Sequence, residues 1–233
     1  VPPEISLLLD IIGEIQEDPF NGLVLLGSLV FALVVAITVH EFSHALTAFL
    51  QGDPTARNLG RLSLNPLRHL EPLGTILIFI AGIGWGKPTP VNPDRLRAGP
   101  KAGMALVSLA GPLSNISIAT LAALPLRAGI FGGGLYTHSF AGEAGNIISY
   151  AIGIFVLLNL LLAAFNLIPL VPLDGYKVAQ GVLPGEAAKQ FGKLERFGPT
   201  PLFLLIMLDF LFGVNILGRV ISSIFQILSD IVL

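Results

Sequence analysis

A chain of 233 residues with 53% hydrophobic and 12% charged side chains falls far short of the roughly 25% charge of a soluble domain, which excludes a water-soluble globule. The formal charge of -2 comes without a strongly basic face, so nucleic acid is not a partner to expect. Cysteine is absent, which excludes disulfides, thiolate nucleophiles and Cys-ligated metals and leaves histidine and carboxylate as the strong ligands.

Val1 to Asn21 carries Glu4, Asp10, Glu14, Glu17 and Asp18 without Lys or Arg, and sets Ile5, Leu8, Leu9, Ile12 and Ile15 at helical spacing. That pattern suits a short amphipathic helix lying on a membrane, with an ordered tail as the plainer reading. A basic region followed by a short apolar core is not seen, so no cleavable signal is expected and insertion falls to the first membrane helix. That helix runs from Gly22 to about Leu50, long enough for the roughly 20 residues a bilayer core requires, and Gly52, Asp53 and Pro54 stop it.

Its inner end reads HEFSH, His40 to His44. Histidines four apart on a helix lie one turn above each other, so both imidazoles can reach one metal ion. Glu41 between them is a carboxylate able to take a proton from a metal-bound water, which makes this the HExxH pattern of zinc metalloproteases. Accidental spacing is the bland alternative, but ionisable groups at membrane depth are costly and functional by default.

Arg61 to Asn65 alternates polar and apolar residues, which predicts a short strand near the interface. The apolar run Leu73 to Trp85 holds Gly74, Gly82 and Gly84; as a helix it would rise about 20 Å against a core of roughly 30 Å, so a re-entrant segment is preferred to a span. Such a segment gathers Arg57, Arg61, Arg68, Lys87, Arg95, Arg97, Lys101, Lys177, Lys189, Lys193 and Arg196 on one face, 11 of the 13 Lys and Arg. The positive-inside rule makes that face cytoplasmic. In KPTPVNP, Lys87 to Pro93, Pro88 and Pro90 remove donors from one edge of an extended chain while Thr89 and Val91 keep the other. The segment reads as an edge strand that receives an unwound substrate, or as a rigid interfacial loop.

A second span covers about Ala102 to Leu126 and contains AGPLSN, Ala110 to Asn115. Gly111 and Pro112 invite a kink, and Asn115 brings an amide to mid-membrane, as a helix-packing bond or as part of a site. The Gly-rich stretch Ala128 to Gly145 places His138 on the far side from the basic face. A third helix, about Asn146 to Asn166, ends in FNLIPLVPLDGYKV, where Pro169 and Pro172 break the helix and Asp174 follows at the depth expected for His40 and His44. Asp174 is either a turn aspartate before Gly175 or a ligand, and the HExxH site favours ligation. A polar loop, Tyr176 to Thr200, precedes a last apolar region, Pro201 to Leu233, read as one span plus an interfacial helix or as a broken pair. Asp209 there is expected to pair within the bundle or near the interface. His69 is read as interfacial.

HEFSH in a membrane helix, AGPLSN in a later one and NLIPLVPLDG near the end, with GRLSLNPLRHLEPLG and WGKPTPVNP between, resemble the site-2 proteases. The likeness is to their compact prokaryotic branch without PDZ or CBS domain. The resemblance implies one zinc ion held by His40, His44 and Asp174, Glu41 as acid/base, Asn115 near the substrate or the developing oxyanion, and Asn166 supporting the aspartate motif. It implies an all-α polytopic membrane protein, a single transmembrane peptidase domain over 1–233 with its catalytic core at about 22–180. The enzyme would sit in the cell membrane with its site toward the cytoplasm and cleave transmembrane protein or peptide substrates. A transporter or channel and a catalytically inactive, membrane-protein-binding relative are the rival readings.

Overall fold

The computed structural model of this chain describes residues 6–72, 74, 86–130 and 144–233, with side chains from residue 12 in the first helix and from residue 147 in the helix that begins at Ala144. The helices are α1 Ser6–Glu17, α2 Pro19–Leu50, α3 Thr55–Asn58, α4 Gly99–Arg127, α5 Ala144–Asn166, α6 Asp174–Val182, α7 Gly185–Gly192, α8 Thr200–Phe212 and α9 Ile216–Val232. No strand forms among the described residues. Three helices, α2, α4 and α5 over Ile147–Asn166, are long and apolar enough to cross a membrane. The chain is an all-α polytopic membrane protein.

The first span begins three residues earlier than its hydropathy suggests because Asp18 caps it. Its Oδ1 accepts from Phe20 N at 3.1 Å and Asn21 N at 3.2 Å, and Pro19 fills a position where no N–H is needed. With 32 residues, α2 is about 48 Å long at 1.5 Å per residue, well beyond a bilayer core. Its buried side includes Ala32, Ala36, His40, His44 and Ala48, each four residues from the next. This i±4 ridge lies against α4 and α5, and its alanines let the backbones come close. The main core continues the theme with Ala119 and Ala123 of α4, Val156, Leu160, Ala163 and Ala164 of α5, and Leu228 and Val232 of α9. Phe31, Leu121 and Phe212 stay exposed, as lipid-facing side chains should.

The polar stretch Tyr176 to Thr200, read as a loop, folds instead into α6, α7 and a tight turn at Lys193–Phe197. Tyr176, only 1% exposed, holds them together by donating to Phe191 O at 2.8 Å. The last apolar region is a broken pair: α8 and α9 meet at 109°. Gly213 and Asn215 take left-handed φ of 63° and 56° at the break, and Asp209 caps α9 by accepting from Ile216 N and Leu217 N, each at 2.7 Å. The carboxylate expected to pair within the bundle or near the interface thus satisfies the bare amides of the next helix.

Arg61 to Asn65 is not a strand. Side chains there take the bonds a ladder would need: Ser63 Oγ accepts from Asn65 N at 3.1 Å, and Asn65 Oδ1 accepts from Leu67 N at 3.0 Å to open the turn Pro66–Arg68. His69, read as interfacial, is enclosed by protein. It is fully buried, its Nε2 donates to Ser63 O at 2.6 Å, and its carbonyl accepts Lys87 N at 2.7 Å. The re-entrant reading of 73–85, of which residue 74 alone is described, and His138 fall outside what the described residues can address.

Past α2, buried Asp53 accepts from Thr55 N, Thr55 Oγ1 and Asn92 N at 3.1, 2.5 and 2.7 Å. Burial pushes its pKa up, but the Thr55 hydroxyl, the two amides and Arg95 more than offset this and hold it below the ordinary carboxylate value. Its contribution to stability is therefore present above the unfolded value near 3.8 and lost as pH falls through the lower folded one. Acid titration of thermal unfolding should show this loss in the native chain and a weaker one in Asp53→Asn; equal acid sensitivity would remove Asp53 from that role.

Candidate metal centre

Three side chains far apart in sequence meet where α2, α4 and the start of α6 converge. His40 Nε2 lies 3.0 Å and His44 Nε2 3.2 Å from the same Asp174 oxygen, Oδ2. The possible ligand atoms all lie within 4.8 Å of one another. The imidazoles are nearly perpendicular, at 88°, as successive turns of one helix place them. Asp174 is the first residue of α6, where the helix dipole favours its negative charge.

The protons on the two rings can be assigned from their other neighbours. His44 Nδ1 stands 2.7 Å from Val107 O; a carbonyl only accepts, so Nδ1 carries the proton. His40 Nδ1 stands 2.6 Å from Asn115 Oδ1. That amide cannot be reversed, because its nitrogen donates to Ala36 O at 3.1 Å and to Asn159 Oδ1 at 2.8 Å. With each Nδ1 proton committed, both rings turn Nε2 toward the same Asp174 oxygen, so that a neutral ring offers a lone pair there. A proton or a metal ion among these atoms is what makes their approach favourable, and two neutral imidazoles with one carboxylate suit zinc. The residues present thus fit a metal ion.

Asn115 reads from the sequence as a helix-packing bond or part of a site, and the family resemblance implies a place near the substrate or the developing oxyanion. Its side chain is fully buried and its amide is occupied by His40, Ala36 and Asn159. Asn159 was missed altogether. It is also fully buried, donates to Phe155 O at 2.8 Å and completes a chain from α5 through α4 to His40. The signal was available: an amide inside the apolar run of α5 needs a partner as much as Asn115 does. Asn159→Leu leaves one Asn115 proton without its acceptor and should weaken zinc binding about 10-fold, read by competition with a chromophoric chelator. Unchanged affinity would cut Asn159 out of the network.

Gly111 explains why α4 can lie so close. A Cβ there would stand 2.5 Å from both Cε1 and Nε2 of His44 and 2.6 Å from Cε1 of His40. Glycine is thus the wall of the site. Asn166, expected to brace the aspartate motif, donates back to Leu162 O at 3.0 Å. The following loop is braced by its own bonds, Leu170 N to Ile168 O and Leu173 N to Leu170 O, both 2.8 Å, and a Cβ on Gly175 would collide with the Leu167 backbone.

Four curated proteins match the chain. One, from Bacillus subtilis (strain 168), is named "Putative zinc metalloprotease YwhC"; it is 39% identical over 183 residues, 77% of this chain and 80% of that protein. The chain belongs to the site-2 protease family. Two further site-2 protease relatives carry the name "Putative zinc metalloprotease Rip2". The one from Mycolicibacterium smegmatis is 30% identical over 83% of this chain and 71% of its own length. The one from Mycobacterium tuberculosis (strain ATCC 25618 / H37Rv) is 30% identical over 79% and 70%. No family model matches, and no solved structure matches. Membership of the site-2 protease family and the convergence of His40, His44 and Asp174 together support a metalloprotease function.

Proposed function

We propose that this chain is a zinc-dependent intramembrane endopeptidase that hydrolyses peptide bonds within or near the transmembrane segments of other membrane proteins. The observation that carries the reading is the convergence of both Nε2 atoms on one Asp174 oxygen, with both Nδ1 protons committed elsewhere. Neither a transporter nor an inactive relative has need of that arrangement beside a glutamate.

One zinc ion per chain, held by His40, His44 and Asp174, supplies when bound the Lewis acidity that acidifies a water and polarises a peptide carbonyl. Glu41 takes the water's proton as its oxygen adds to the carbonyl carbon, and hands it to the amide nitrogen as the C–N bond breaks. Asn115 acts through His40, fixing ring orientation and tautomer. A substrate helix must unwind before cleavage, because its peptide bonds are buried in their own hydrogen bonds. The edge of Thr89 and Val91, beside Glu41, offers backbone on which the unwound segment can add as a strand. His40 lies ten residues before the end of α2, about 15 Å from it, on the side of the basic loops, so the site opens toward the cytoplasm.

Purified wild-type protein in micelles is expected to hold one zinc per chain and to cleave a fluorogenic transmembrane peptide. Chelation should stop the cleavage and added zinc restore it. Stoichiometric zinc without cleavage, or cleavage that survives metal removal, would overturn the reading.

A further inference from the structure

Glu41 is held from outside its own helix. Residues 86–92 cross α2 as a strap fixed at both ends. At one end Lys87 N donates to His69 O at 2.7 Å, and Arg61 Nη2 donates to Lys87 O and Pro88 O, both at 2.8 Å. At the other, Asn92 N donates to Asp53 Oδ2 at 2.7 Å. Between these anchors Thr89 Oγ1 donates to Glu41 Oε2 at 2.7 Å and lies 3.1 Å from Glu41 O.

Arg61 shows how much this arrangement asks of the fold. It is only 7% exposed, and Nη1 is buried without a partner. An under-satisfied buried guanidinium is costly, and what it secures here is the backbone on either side of the Pro88 peptide, next to Thr89.

We propose that Thr89 is a positioning residue for the general base: its hydroxyl fixes Glu41 Oε2 and leaves Oε1 as the oxygen that takes and returns the proton, with Arg61 setting the height of the strap. The proposal rests on the metalloprotease reading of the site. A free glutamate side chain samples many rotamers, whereas a general base must stay within about 2.6–3.2 Å of the proton it abstracts. The hydroxyl can donate to Oε2 whether Oε1 is bare or protonated, so the contact persists through the whole proton cycle.

The test compares full-length wild type, Thr89→Val and Thr89→Ser, each loaded with zinc, on one transmembrane peptide. Thr89→Val keeps the shape and loses the donor. It is expected to bind one zinc per chain with KM within about twofold of wild type, while kcat falls about 100-fold, the scale of a misplaced catalytic group. Thr89→Ser, which keeps the donor, is expected to recover most of kcat. Wild-type kcat in Thr89→Val, a loss that appears in KM alone, loss of zinc, or a serine variant as slow as the valine one would each overturn the proposal. A wild type that holds zinc but cleaves no peptide is a different result: it overturns the proteolytic reading, and the proposal with it.

Discussion

Glu41→Gln is expected to hold zinc as the native chain does and to cleave a transmembrane peptide at least about a thousandfold more slowly, within the range assigned to general acid–base groups. Glu41 is not among the converging ligand atoms, so metal content should not move. Glutamine preserves length and shape, and its amide oxygen still accepts from Thr89, so the strap stays in place. What it cannot do at neutral pH is take a proton. Metal analysis and single-turnover cleavage on the same preparation separate these effects. Equal turnover in the two proteins would remove Glu41 from the chemistry, and loss of zinc would make it a ligand.

Gly111→Ala is expected to abolish metal binding, by at least about 100-fold in affinity, without touching a ligand. Its methyl would occupy space that both imidazoles need, at 2.5 and 2.6 Å. The rings cannot swing away without breaking the bonds from their Nδ1 atoms to Asn115 and Val107. Helix α4 cannot retreat without opening the small-residue contacts along the α2 ridge, and tightly packed interiors resist such shifts. Gly27→Ala is the matching control, since its methyl meets nothing within 4 Å. Titration with zinc should show near-native affinity in the control and almost none in Gly111→Ala; full occupancy in both would mean that α4 yields more easily than its packing implies.

The spans were legible because their signal is local: apolar length sets them, and Leu50 and Asn166 end them as the following glycine and prolines require. HEFSH was legible for the same reason, its spacing being one turn of one helix. Asp174 was different. It lies 134 residues from His40, and what tied the two together was its expected depth beside an HExxH site and the likeness of its motif to a known family. Where local pattern misled, a side chain was serving a distant backbone. The polar alternation of Arg61 to Asn65 came from a guanidinium and an asparagine making turn and strap bonds, and His69 was drawn inward by Ser63 O. Asn159 went unread because its role appears only when α4 and α5 are side by side. Asp209 capped a helix beyond a break whose angle hydropathy does not encode.

The ligand set draws on the last third of α2 and on the residue that opens α6, so an ion bound there is also a tether between early and late parts of the chain. Chelation then has a mechanical meaning as well as a chemical one. Once the ion is gone, α6 stays joined to the earlier chain by its packing on α4 and by the bond from Lys101 Nζ to Leu183 O at 2.6 Å.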